Sequence, residues 1–395
     1  MRRVACLLYF ALAMFSIGWS QSFDDKKFHF EALVVDTHND VVQRILNGED
    51  ISVRTTHGHS DLPRFREGGL DVQVFSIWVP PEKTAPSYYD QTNQQIDSIE
   101  SLIRRAPSEI GLARSVHEIQ QLSKSGKFVA MLGIEGGHSI EDDLTRLDHF
   151  YNRGVRYMTL TWNNSTAWAT SAKDETANDT VLPHTGLTEF GRTIVRRMNE
   201  LGMMVDISHV GEQTFRDVMA TTRKPVIASH SSAWALVHHR RNLKDDQLKA
   251  IKKNNGVVFI NFAPWFIDST FGRKEAAMKE RNAKRIDSLR VIAPRDEFMQ
   301  EVFIDEGLKE EYAPIRPTFQ TLMDHFDYVA KLIGVDHVGI GSDFDGISVT
   351  PAGMDDVTFY PQLTRELFAR GYTENDVRKI LGENFLRVLR EVERR

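Results

Sequence analysis

The sequence predicts an α/β protein folded as a (β/α)8 TIM barrel, a single domain with insertions in its loops. Three observations carry this. Eight short apolar runs punctuate the chain, each near-continuous rather than alternating, as strands buried on both faces are. Amphipathic helical patterns lie between many of them. The polar residues of several runs gather at their C-terminal ends, where a barrel of this kind opens its mouth. An open doubly wound sheet is the alternative, but no strand-following loop carries a GxGxxG turn.

In chain order, residues 1–20 come first as a separate segment. Arg2 and Arg3 precede an apolar run to Trp19, with Gly18 and Ser20 before Gln21. This is the pattern of a secretory signal peptide cleaved after Ser20, so residues 21–395 form the barrel and the protein is exported, to the periplasm or beyond. The run is short for a spanning helix, and REVERR ends the chain without an apolar tail, so no permanent membrane anchor is expected. Cleavage removes Cys6, the single cysteine, which excludes a disulfide, a Cys-based metal site and an iron–sulfur cluster. It also moves the formal charge from −6 to −8, which gives no reason to expect a nucleic-acid partner.

The eight runs are ALVVDTHND (32–40), DVQVFSIWV (71–79), KFVAMLGIEGG (127–137), VRYMTLTWN (155–163), MMVDISHV (203–210), PVIASHSS (225–232), GVVFINFAP (256–264) and HVGIGSDFDG (337–346). Between the fourth and fifth, Leu187, Phe190, Ile194, Val195, Met198 and Leu201 share one helical face before Gly202 stops it. At the C-terminus, Thr373 with Asp376 forms a variant capping box ahead of a stripe through Val377, Ile380, Leu381, Phe385 and Leu389. Two connections are long, 80–126 and 265–324. Each reads either as a solvated excursion or as a lid over the mouth.

Six polar residues end the runs: His38 and Asp40 on the first, Glu135 on the third, His209 on the fifth, His230 on the sixth and Asp343 on the eighth. One histidine ending a strand is usually a turn former. Six such residues at one end of one barrel are a different matter, because buried charge there needs a partner or a metal. Three histidines and three carboxylates suit zinc better than calcium or magnesium. His57 and His59 read as solvated loop residues, His138 as a local or supporting residue, and His238 and His239 as part of a loop over the mouth. His325 and His337 receive no role.

DTHND, IEGGHS, VDISHV, SHSSAWALVHHRRN and GIGSDFDG, in this order, resemble the membrane (renal) dipeptidase family of zinc peptidases, and DLPRFREGGLDVQVFSIWVP and GVRYMTLTWNNS extend the likeness. The likeness runs from about Phe28 to Arg390 and is to soluble bacterial-type members. It implies a barrel of the metal-dependent hydrolase type holding two zinc ions, with His38 and Asp40 on one, His209 and His230 on the other and Glu135 bridging both. It further implies hydrolysis of small dipeptides, including those with a C-terminal D-residue, by a hydroxide shared between the metals. Asp343 would handle the proton, and Arg241 would clamp the substrate carboxylate with a planar fork. The resemblance allows a homodimer.

One position departs from the family. Trp162 stands where many members have a histidine that contacts substrate, leaving Asn163 or Asn164 as candidate replacement donors. Two rival readings stand beside it. One is another amidohydrolase-type reaction on N-acyl amino acids or lactams. The other is a binding protein on a decayed scaffold, which would require a broken ligand set; every matched position is filled.

Overall fold

The computed structural model describes residues 24–394, apart from 83, 84, 178–180, 295 and 296. The proposed signal peptide lies outside the described residues. All eight apolar runs form strands: β1 (Val35–Asn39), β2 (Val72–Trp78), β4 (Phe128–Glu135), β5 (Val155–Thr159), β6 (Met204–Asp206), β7 (Ile227–Ser231), β8 (Val257–Ile260) and β9 (Val338–Ile340). They pair in parallel in the order β1-β2-β4-β5-β6-β7-β8-β9, and β9 returns to β1 through Asp36 and Ile340, closing the barrel. Closure buries both faces of every strand, hence the continuous apolar runs.

A ninth strand, β3 (Ile110–Leu112), is an addition to the reading from sequence. It pairs in parallel with the start of β4, Phe128–Ala130, ahead of the stretch that pairs with β5, and lies inside the long 80–126 connection. That connection is therefore neither a lid nor a solvated excursion. Its helix Tyr88–Arg105 buries Ile96, Ile99 and Leu102, and its helix Val116–Lys124 buries Val116 and Ile119. The 265–324 connection is different. Its helices share a small core of their own, formed by Phe271, Met278, Ile304, Leu308 and Tyr312 with Val349.

The barrel interior is divided along its axis. Its lower half is filled by Val35, Val72, Val74, Val129, Met131, Met204, Ile227, Val257 and Phe259, closed from below by Phe385, Val388, Leu389 and Val392 of the C-terminal helix. The Thr373/Asp376 capping box is formed as expected. The helix then takes a π turn over Lys379–Glu383. Gly382 lies there because a Cβ would run into the Leu33 carbonyl as the helix crosses the entrance to β1. Tyr157 marks the boundary between halves. Its ring lies against Gly133, where any side chain would overlap it, and its hydroxyl reaches upward to His38.

Candidate metal centre

The upper half of the same interior holds the polar residues. His38, Asp40, Glu135, His209 and His230 are each at most 8% exposed, and the Asp343 side chain is 14% exposed. Asp40 and Asp343 come from opposite ends of the chain. The Asp40 N–H donates to the Phe344 carbonyl and the Asp343 N–H to the His38 carbonyl, so β1 carries its pairing past the end of β9. Gly346 leaves room beside both carboxylates.

His209 and Asp343 are not strand residues. β6 ends at Asp206, and His209 follows three residues later in a left-handed conformation (φ 65°). Asp343 (φ 66°) and Asp345 (φ 62°) do the same after β9. Each such residue costs on the order of 1–3 kcal/mol and persists only where its surroundings fix it. For the second loop the fixing is visible. The Asp345 carboxylate accepts from Arg44 Nη1 at 3.2 Å and from the His59 N–H at 2.8 Å, and it also takes the Ser60 hydroxyl. His59 is accordingly not solvated: its Nδ1 accepts the Asp345 N–H at 3.0 Å.

Glu135 sits at the centre with its two oxygens divided. Oε1 lies 2.9 Å from His209 Nε2 and 3.3 Å from His230 Nε2, and Oε2 lies 3.6 Å from His38 Nε2. His38 Nε2 is also 3.5 Å from Asp40 and 4.0 Å from Asp343. Two donor groups compact enough to hold a cation result, His38/Glu135/His230 and His38/Asp40/Asp343.

The protonation pattern fits cations. The Tyr157 hydroxyl donates to the Thr37 carbonyl, so the 3.0 Å contact with His38 Nδ1 places a proton on that nitrogen. Against burial, the neighbouring Tyr157, Glu135 and Asp40 hold His38 well above the usual imidazole range, so the proton on its Nε2, an atom buried without a hydrogen-bond partner and aimed into the cluster, is the one a cation would displace. Burial, aided by the Arg241 charge, pushes His209 down to about 3, and burial holds His230 well below the usual imidazole range; both are neutral donors. Burial, with Asp40 and Glu135 adding to it, lifts Asp343 to about 7. Two neutral imidazoles, a third whose Nε2 proton a cation would displace, and crowded carboxylates converge on a common centre, the chemistry a borderline divalent metal selects.

Beside the cluster opens a cavity of about 690 Å³ lined by Asn163, His209, Val237, His239, Arg241 and Phe266, among others. Arg241 is buried, and its Nε has no partner. Nη2 donates to the His230 carbonyl at 3.1 Å, and the guanidinium lies 5.4 Å over the Phe266 ring. Burial lowers its pKa to about 10, so it remains charged. A buried cation with unused N–H groups matches a ligand carboxylate. Of the two asparagines, Asn163 lines this cavity, whereas the Asn164 side chain is turned toward the Ser165 carbonyl. Trp162 packs on Trp78 with centroids 5.0 Å apart and lies 6.2 Å from His209, forming an indole wall beside the cluster.

Several residues of the site were not legible as such. Tyr157, Asp36 and Asp206 sit within apolar runs and look like strand filler until the barrel closes. His138 proves local, with Nε2 donating to the Val79 carbonyl at 2.9 Å. His325 is fully buried and ties two mouth loops together. Its Nδ1 accepts the Ala233 N–H at 3.1 Å, and its Nε2 faces the Ile267 carbonyl at 3.3 Å.

Residues 25–395 match the family model described as membrane dipeptidase, peptidase family M19. Among solved structures, the chain is 28% identical to a dipeptidase AC described as an M19 metallopeptidase, covering 91% of this chain and 98% of that one with a TM-score of 0.74. It is 27% identical to a metallopeptidase from Rhodobacter sphaeroides liganded with a phosphinate mimic of the dipeptide L-Ala-D-Ala, over 91% and 99% of the two chains with a TM-score of 0.73. It is 26% identical to the probable dipeptidase PvdM from Pseudomonas aeruginosa, over 93% and 97% with a TM-score of 0.76.

Proposed function

The chain belongs to the membrane dipeptidase family, peptidase family M19, and is a metallo-dipeptidase; from that premise we propose that it uses two zinc ions and is exported. The divided carboxylate of Glu135 carries the two-metal reading. With one oxygen toward His209 and His230 and the other toward His38, it has the arrangement a bridging ligand needs. His38 and Asp40 would hold one zinc, His209 and His230 the other. Bound there, zinc supplies Lewis acidity, activating water near neutral pH and polarising the scissile carbonyl.

The remaining steps belong to the chain's own residues. Asp343 Oδ1 faces the cluster 4.0 Å from His38 Nε2, and its Oδ2 accepts from Asn261 Nδ2 at 2.9 Å. A carboxylate oriented in this way takes the proton from the attacking water and delivers it to the departing amine. Arg241 clamps the C-terminal carboxylate in the adjoining cavity, which limits the substrate to one residue beyond the scissile bond. Asn163 can donate to the substrate from the cavity wall, and the Trp162 face shields the other side from water. The Rhodobacter relative's L-Ala-D-Ala mimic supports dipeptides with a C-terminal D-residue as substrates. Export rests on the Arg2–Ser20 pattern.

The test is metal analysis and a dipeptide panel on one preparation of the mature chain, with L-Xaa-D-Xaa isomers, N-acyl amino acids and a β-lactam in parallel. Close to two zincs per chain, dipeptide cleavage and loss of activity on chelation are expected. Full activity without metal would sink the zinc reading. Turnover confined to the acyl or lactam substrates would replace the substrate class.

A further inference from the structure

Beneath the cluster lie two brackets of the same construction. At β6, the Asp206 carboxylate accepts the N–H of Ser208, two residues on, at 3.0 Å and the N–H of Ser229 on neighbouring β7 at 2.8 Å. Its other oxygen accepts the Ser229 hydroxyl at 2.6 Å and the Thr159 hydroxyl at 2.5 Å. At β1, Asp36 accepts the N–H of His38, two residues on, at 3.2 Å and the N–H of Ser342, beyond neighbouring β9, at 3.0 Å. Its second oxygen takes the Ser342 and Tyr360 hydroxyls, each at 2.6 Å. Both aspartates are fully buried, and among the described residues neither forms an ion pair. Four donors each make them costly to disturb.

The brackets differ in what the serine does next. The Ser342 hydroxyl accepts the Phe344 N–H at 3.1 Å and stays with the main chain around Asp343. The Ser229 hydroxyl lies 2.8 Å from His230 Nδ1. A hydroxyl has one proton, and Ser229 gives it to Asp206, so at this contact it accepts. His230 therefore carries its proton on Nδ1 and turns a bare Nε2 to Glu135 and the cluster.

We propose that Ser229 and Asp206 are positioning residues for His230, a buried carboxylate–hydroxyl–imidazole relay that fixes its tautomer and ring direction, while the matching Asp36–Ser342 bracket fixes only main chain. The inference rests on the two-zinc reading for its consequence, not for its geometry. His230 is also held elsewhere: its N–H donates to the Ser208 hydroxyl at 3.1 Å, its carbonyl accepts from Arg241, and its ring lies 3.8 Å from that of His38, tilted by 32°. Nδ1 faces the Ser229 hydroxyl, whereas Nε2 faces Glu135 Oε1 at 3.3 Å and His209 Nε2 at 3.0 Å, so the Ser229 acceptor holds the proton on Nδ1 against the pull of the carboxylate. An outer partner of this kind is typically worth 10–100-fold in metal affinity.

The deciding experiment compares Ser229→Ala with Ser342→Ala in the full mature chain. Nitrogen-15 NMR of the metal-free protein reads the histidine tautomers, and competition with a chelator reads zinc affinity. Ser229→Ala should convert His230 from a pure Nδ1–H form to a mixture and weaken one of the two zincs by at least about tenfold. Ser342→Ala should leave the His230 tautomer unchanged, and Ser229→Thr should restore both readouts. Should Ser229→Ala fail to fold, Ser229→Cys, a poorer acceptor of nearly the same size, should give an intermediate shift. An unchanged His230 tautomer with both zincs retained in Ser229→Ala would overturn the relay, as would an equal shift in Ser342→Ala. A wild-type chain that takes up no zinc would remove the two-zinc reading, while the NMR comparison would still decide the relay.

Discussion

The two halves of the barrel interior are built from the same strands and do opposite work. Below Tyr157, β2, β4 and β8 contribute Val72, Val74, Val129, Met131, Val257 and Phe259 to a dry core capped by the C-terminal helix. Above it, the ends of β1, β4 and β7 and the loops after β6 and β9 present three histidines and three carboxylates to one another. The lower half gains from burial at roughly 25 cal/mol per Å² of apolar surface. The upper half gives up that gain, and it carries left-handed residues at His209 and Asp343 as well. Stability and chemistry thus share a strand: Val35 and His38 on β1, Met131 and Glu135 on β4, Ile227 and His230 on β7.

If the separation is real, substitutions in the two halves should fail in different assays. The largest effect is expected at the mouth. Asp343→Asn keeps the shape and removes the proposed proton carrier, so kcat should fall about 10²–10⁴-fold with metal content and melting temperature nearly unchanged. Loss of zinc instead would make Asp343 a ligand. The mirror experiment is Phe385→Ala in the helix that closes the lower half, where the ring packs 6.1 Å from Phe259. Unfolding free energy should drop by roughly 3–5 kcal/mol, while kcat of the folded fraction stays within about twofold.

His325 sharpens the comparison, because it braces the mouth without belonging to the cluster. Burial pushes its pKa down to about 4. The unfolded chain takes up that proton near pH 6.5 and the folded chain does so only near 4, so the contribution is complete above 6.5 and is lost as pH falls toward 4. That contribution is on the order of 3 kcal/mol. Chemical denaturation of His325→Asn across this window should show a flatter pH dependence than the wild type; parallel curves would remove His325 as a brace. The smallest effect is expected at the boundary. Tyr157→Phe leaves the ring in the core and takes the hydroxyl from His38, so zinc affinity should fall about tenfold with little loss of stability.

How much of this was legible follows from the same division. The eight strands could be read because burial on both faces demands continuous apolar runs, and the C-terminal helix because its capping box and stripe are local. The six cluster residues stood out as charge at the ends of apolar runs. β3 did not, since three residues at a barrel's flank carry no pattern, and the 265–324 helices gave no sign that they would form a core of their own.

The amino-acid sequence by itself determined the barrel, its polar end and the residue types gathered there, because periodicity and composition are properties of short segments. Only the tertiary structure decided which nitrogen of His38 and His230 faces the cluster, that Asp36 and Asp206 are brackets rather than core faults, and that His325 is a brace. Those facts depend on hydrogen bonds between residues as far apart as Asp36 and Ser342, pairings that exist only once the sheet has closed on itself.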